Sequence, residues 1–157
     1  MKALFAGSFS PPTLGHLDII RRGSRLFDGL VVAVLGQAEK TYVLSPEQRA
    51  DMLRRITRDI PNVEIVCSTG LLVDLMRETG ASVILRGVRE AGDMREELQI
   101  AEAHRMLGGY ETLMLPSLPK FSRLSSTIVR DCASHRASLR GMVPEEIMEE
   151  VYAVYAR

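Results

Sequence analysis

Ala3-Leu4-Phe5-Ala6-Gly7-Ser8-Phe9-Ser10-Pro11-Pro12-Thr13-Leu14-Gly15-His16 is the stretch from which the fold of this 157-residue chain follows. Four apolar residues run into a Gly/Ser/Pro loop, and Leu17-Asp18-Ile19-Ile20 continues as an amphipathic stretch. A buried strand, a tight turn and a helix start, in that order, leave backbone N–H groups free at the turn. The helix dipole adds a partial positive charge there, so such a turn binds anions, phosphate above all. His16 falls in the first helical turn, where it can donate a hydrogen bond to whatever the loop holds.

Working outward, apolar β-branched runs alternate with helix-period segments. Strands are predicted at Ala3–Ala6, Leu30–Leu35, Val63–Cys67, Ser82–Leu85 and Thr112–Leu115, and helices at Gly15–Phe27, Pro46–Arg58, Leu71–Thr79 and Asp93–Leu107. Ser45-Pro46-Glu47 carries an N-cap and a proline at the first helical position. Gly80 and Gly108 suit C-terminal caps. Continuous apolar strands separated by helices make an α/β, Rossmann-like, doubly wound five-stranded parallel sheet, with helices on both faces. Extra C-terminal helices are predicted near Ser126–Ser134 and Pro144–Ala156. In the last, Ile147, Val151, Val154 and Tyr155 form an apolar stripe for the domain or a neighbouring subunit. With no linker or repeat, residues 1–157 read as a single domain.

Composition removes several function classes. Lys+Arg and Asp+Glu are equal at 20 each, so no broad basic surface exists for nucleic acid, although a local cationic pocket remains possible. No apolar run approaches the ~20 residues of a membrane span, and Met1-Lys2 leads straight into a strand. Cys67 and Cys132 stand far apart without Cys/His neighbours, which fits free thiols in a reducing cytoplasm. A cytoplasmic protein without membrane or nucleic-acid partners is therefore expected.

Ligands of doubly wound sheets bind beyond the carboxyl ends of the strands, where strand order reverses. The loops after strands one and four are candidates to flank that crevice. The second of these holds Ile84-Leu85-Arg86-Gly87-Val88-Arg89, in which two guanidiniums are expected just past a buried strand, with Gly87 letting the backbone turn. Guanidiniums fork onto phosphate oxygens and stay charged at any working pH. They could equally form surface ion pairs with Asp93, Glu96 or Glu97. Leu124-Ser125-Ser126-Thr127 places hydroxyls at a helix start, where they cap the helix, bind terminal phosphates, or do both. Lys40 lies in the polar loop after strand two. A lone loop lysine is ordinarily solvated, so its position alone says little.

Together these segments resemble the bacterial phosphopantetheine adenylyltransferase family of the nucleotidyltransferase superfamily. The resemblance rests on G-S-F-x-P-x-T-x-G-H at residues 7–16, the loop lysine before Ser45-Pro46-Glu47-Gln48-Arg49, and L-R-G-V-R at 85–89. It extends through Glu96-Glu97-Leu98-Gln99-Ile100-Ala101, Leu113-Met114-Leu115-Pro116-Ser117, L-S-S-T at 124–127 and V-P-E-E-I at 143–147. Ser10 and Leu14 stand where the family usually has aspartate and asparagine. Arg123 replaces an apolar or aromatic residue, and Lys120 lies near a one-residue insertion.

The resemblance implies transfer of AMP from ATP to 4′-phosphopantetheine, making dephospho-coenzyme A and pyrophosphate for coenzyme A synthesis. It also implies a homohexamer and coenzyme A as a feedback inhibitor. His16 would hydrogen-bond the α-phosphate, and Ser8 would orient the attacking phosphate, which Lys40 and Arg86 hold. Leu72 would meet the pantetheine arm through its backbone. Ser8, Phe9, Gly87, Val88, Arg89 and Glu97 would contact ATP. Phe121, Ser122, Arg123, Leu124, Ser125, Ser126 and Thr127 would embrace its β- and γ-phosphates. Mg²⁺ would ride mainly on triphosphate and water, with no dedicated protein ligand. Nicotinamide mononucleotide adenylyltransferases share the chemistry but usually carry His where this chain has Thr13, and they lack L-R-G-V-R.

Overall fold

The computed structural model describes residues 1–36 and 42–156. Its strands are β1 (Lys2–Gly7), β2 (Gly29–Leu35), β3 (Val63–Ser68), β4 (Val83–Val88) and β5 (Glu111–Pro116). They alternate with α1 (Leu14–Leu26), α2 (Pro46–Ile56), α3 (Leu72–Thr79) and α4 (Ala91–Gly108). A 3-10 turn at Pro119–Phe121 then leads to α5 (Ser126–Ser134) and α6 (Glu145–Tyr155). The five strands form one parallel sheet in the order β3-β2-β1-β4-β5. The expected doubly wound α/β fold is what forms.

The period-two geometry of a strand divides β1 between two cores. Ala3 and Phe5 join Leu30, Val32, Val34, Ile20, Leu53, Val129 and Ile147 on one face. Leu4 and Ala6 join Val31, Ala33, Ile84, Leu75 and Met76 on the other. Thus α1, α2, α5 and α6 cover the first face, and α3 packs on the second. The stripe of α6 packs on the chain's own core, with Ile147 and Val151 buried and Val154 and Tyr155 partly so.

Three expectations need correction. Burial on both faces holds for the central strands, whereas β3 and β5 lie at the sheet edges and are half exposed. Strand β4 continues to Val88, so Arg86 and Gly87 lie within it rather than in a loop. Gly87 therefore makes no turn; a Cβ there would sit 3.1 Å from Ile19 Cγ1, so it lets α1 approach the sheet closely. Finally, Gly109 rather than Gly108 caps α4 in the left-handed region at φ +72°, because Gly108 is still helical and packs against Tyr110. Gly80 caps α3 as expected, and Ser45 caps α2 with Gln48 closing a capping box.

Candidate active site

Strand order reverses between β1 and β4, since the chain winds from β1 through β2 to β3 and then crosses to the other side. A cavity of about 330 Å³ opens at their carboxyl ends.

Its first wall is the loop from Ser8 to Thr13. Thr13 caps α1: its Oγ1 accepts from the His16 N–H at 3.2 Å, and its own N–H donates to His16 Nδ1 at 3.0 Å. Because Nδ1 accepts, the ring proton sits on Nε2, and the imidazole offers a donor on its opposite edge. Burial and the nearby Arg89 guanidinium push the His16 pKa down to about 4, so the ring is neutral at physiological pH. The Phe9 ring packs edge-on against it at 4.9 Å.

The carbonyls of this loop are held from outside. Arg49 Nη1 donates to Ser8 O, Arg130 Nη1 to Ser10 O at 2.7 Å, and Ser126 Oγ to Pro11 O at 2.8 Å. The Leu14 N–H reaches Met142 O at 2.8 Å, which ties the C-terminal segment to the same turn. Ser10 is buried with its Oγ 3.3 Å from the Tyr155 hydroxyl.

The second wall is the end of β4. Arg86 is gripped by Glu97, Nε to Oε2 at 2.6 Å and Nη2 to Oε1 at 2.7 Å, while Nη1 donates to Ala6 O at 3.1 Å. Arg89 pairs with Asp93 and donates to Leu124 O at 3.2 Å. Both guanidiniums make the ion pairs weighed above, and both still line the cavity. The third wall is the start of α5. Ser125 Oγ accepts from the Ile128 N–H, so it caps the helix. Among the described residues, the Ser126 and Thr127 amides donate to nothing, which leaves two N–H groups at the positive end of the helix.

Of the residues singled out from sequence, Ser8, Phe9, His16, Arg86, Gly87, Arg89, Phe121, Leu124, Ser125 and Ser126 line this cavity. Val88, Ser122, Arg123 and Thr127 flank the lining residues without forming its wall; Val88 is buried, and Arg123 and Thr127 are exposed. Glu97 reaches the site only through Arg86. Leu72 opens α3 beyond the end of edge strand β3 and is not one of the lining residues. Lys40 lies outside the described residues. Ser117 in the lining and the anchors Arg49 and Arg130 had no role assigned from sequence, although Ser117 and Arg49 close two of the quoted motifs, and the folded chain brings them in. Among the described residues no three His, Cys, Asp or Glu side chains converge as a metal site. The walls offer cations, hydroxyls and an imidazole, a donor set suited to phosphate oxygens.

A tight turn at a helix start, a neutral histidine and two arginines at the switch point of a parallel sheet are the parts a nucleotidyltransferase needs, and the chain's relatives are of that class. Residues 4–132 match the cytidylyltransferase-like family. Over 156 residues the chain is 42% identical to the phosphopantetheine adenylyltransferase of Picosynechococcus sp., spanning 99% of this chain and 88% of that one. It is 43% identical to that of Rubrobacter xylanophilus, spanning 99% and 95%. The chain belongs to the phosphopantetheine adenylyltransferase family. Its fold also matches the solved structure of a protein described as a nicotinate-nucleotide adenylyltransferase from Vibrio parahaemolyticus. There the TM-score is 0.67 at 15% identity, with 96% of this chain and 97% of that one covered.

Proposed function

We propose that the chain transfers the adenylyl group of ATP to 4′-phosphopantetheine, giving dephospho-coenzyme A and pyrophosphate in coenzyme A biosynthesis. The observation that carries this reading is one cavity holding the neutral His16 opposite Arg86 and Arg89. An oxygen of the acceptor phosphate attacks the α-phosphorus of ATP. That O–P bond forms as the bond to the bridging oxygen breaks, and the electron pair leaves with pyrophosphate. The acceptor's second ionisation lies near pH 6, so it needs little help from a base. What it needs is alignment against mutual negative charge, and catalysis is mainly positioning and charge stabilisation.

In that scheme His16 Nε2–H donates to the α-phosphate, Ser8 orients the acceptor phosphate, and Arg86 with Lys40 holds it. Leu72 meets the pantetheine arm. Arg89 and the free amides at the start of α5 take the triphosphate, with Phe9, Gly87 and residues 121–127 around it. Mg²⁺ would be carried by triphosphate oxygens and water, screening their charge. The capture of Arg86 by Glu97 favours a role for Glu97 in setting Arg86 rather than in touching the nucleotide.

A homohexamer belongs to the same reading. It is supported by α4, which buries no residue of its own although Met94, Leu98, Met106 and Leu107 are apolar. Coenzyme A carries both the pantetheine and the adenylyl parts of the product, so it would compete for the cavity as a feedback inhibitor. A cytoplasmic location fits the two unpaired thiols, Cys67 and Cys132.

The test mixes protein, Mg-ATP and 4′-phosphopantetheine and follows pyrophosphate, with nicotinamide mononucleotide offered in parallel. Pyrophosphate is expected only with the first acceptor. Release with nicotinamide mononucleotide alone would overturn the substrate, and ATP binding without turnover would mark a nucleotide sensor.

A further inference from the structure

Arg49 is 1% exposed, the largest fully buried side chain among the described residues, and the reaction above gives it no task. A guanidinium in a core is costly, and an apolar residue of similar volume is often no worse for stability. Its place in the fold suggests what it is for. Nη1 donates both to Ser8 O at 2.5 Å and to Leu35 O at 3.2 Å, and Nε donates to Ser45 O at 3.3 Å. These carbonyls belong to the chain just past β1, the last residue of β2 and the cap of α2. The Tyr42 ring covers the guanidinium at 4.4 Å. The guanidinium thus joins the carboxyl ends of the neighbouring strands β1 and β2 to the start of α2, using two separated nitrogens where an ammonium has one.

The Ser8 carbonyl matters because of the residue that follows it. Phe9 has φ +49°, the left-handed region that a bulky side chain enters only under constraint. Its ring is buried against Phe5 and His16, which fixes one side of the turn. Arg49 fixes the other, by holding the oxygen of the Ser8–Phe9 peptide. In a planar trans peptide the Phe9 N–H then points the opposite way, and Ser8 and Phe9 both line the cavity.

We propose that Arg49 is a positioning residue for adenylyl transfer, acting through the Ser8–Phe9 peptide to hold the Ser8 hydroxyl and the Phe9 amide at the reacting phosphates. This rests on the reading of the cavity as the adenylyl-transfer site. Arg49→Lys keeps the charge, but it has no second nitrogen to reach Ser45 O while serving Ser8 and Leu35. It also has no planar face to lie under Tyr42, so its hold on the Ser8–Phe9 peptide is loosened. Its kcat with 4′-phosphopantetheine, expressed per ATP-binding site, is expected to fall about 10- to 100-fold. The ATP dissociation constant should stay within about threefold, because Arg89 and the start of α5 are untouched. In a cycle with Ser8→Ala the two losses should fail to multiply, as groups acting as one unit do.

A residue serving stability alone would lower the melting temperature and the number of ATP-binding sites while leaving turnover per site unchanged. That result, or losses that multiply in the cycle, overturns the proposal. Should Arg49→Lys not fold, Tyr42→Leu carries the test. It removes the ring over the guanidinium and should lower kcat about two- to fivefold, and a wild-type kcat there counts against Arg49. Native protein inactive on 4′-phosphopantetheine would defeat the underlying reading instead.

Discussion

His16 shows how a single cap sets a chemical state. Thr13 donates its N–H to Nδ1, so the proton that remains lies on Nε2, and burial with Arg89 nearby keeps the ring from taking a second one. His16→Ala should therefore lower turnover about 10²- to 10³-fold in a pyrophosphate-release assay, with little loss of folded protein at neutral pH. The pH behaviour follows with a definite sign. The folded pKa, about 4, lies below the ordinary 6.5, so folding favours the neutral ring. That contribution to stability is complete above about pH 6.5 and fades as pH falls toward about 4. Urea midpoints of the native protein should drop more steeply over that window than those of His16→Asn. Parallel curves would mean that the ring titrates normally. The acid limb of the rate profile should instead track the acceptor phosphate near pH 6 and persist in His16→Asn.

At the scale of elements, β4 and α4 act as a pair, since the strand presents Arg86 to the cavity and the helix supplies Glu97 to grip it. The Arg86 and Glu97 side chains are 22% and 12% exposed, so the pair is partly shielded from solvent. Glu97→Gln weakens the fork without removing a hydrogen-bonding group. If Glu97 works through Arg86, KM for 4′-phosphopantetheine should rise about tenfold while KM for ATP holds, and steady-state kinetics with each substrate varied in turn will show it. A rise in KM for ATP alone would return Glu97 to the nucleotide. The sequence announced this element pair and offered Glu97 among three acidic partners, without singling out its grip on Arg86. R-G-V-R at 86–89 marks the strand end, yet arginine and glycine look like loop residues, so local pattern alone ends β4 at Leu85, three residues before Val88. Tertiary pairing with β5 carried the strand on to Val88. Likewise Ser45 and Ser125 were readable as caps from type and position, whereas Arg49 and Arg130 met their carbonyl partners 41 and 120 residues away.

Over the whole molecule, the doubly wound parallel sheet and the crevice at its switch point were legible because buried parallel strands and phosphate turns leave local patterns, whereas the strand order was not. The long helix α4 left a different kind of mark. Helices α1, α2, α3, α5 and α6 each bury residues against the sheet, whereas α4 buries none. Met106 and Leu107 near its end stand 79% and 61% exposed, and Leu113 on edge strand β5 stands 41% exposed. Scattered apolar residues on a surface need no explanation, but a long helix whose inner face is only half-buried does. In the proposed hexamer other copies would cover it. Met106→Lys with Leu107→Lys tests this cleanly, because positive charge at a helix C-terminus suits the dipole and should not unfold an isolated subunit. Sedimentation velocity should find the native chain as six-chain particles and the double variant as smaller ones with unchanged far-UV circular dichroism. A native chain that sediments as a monomer would remove the hexamer, and a variant that stays fully assembled would move the interface away from the end of α4.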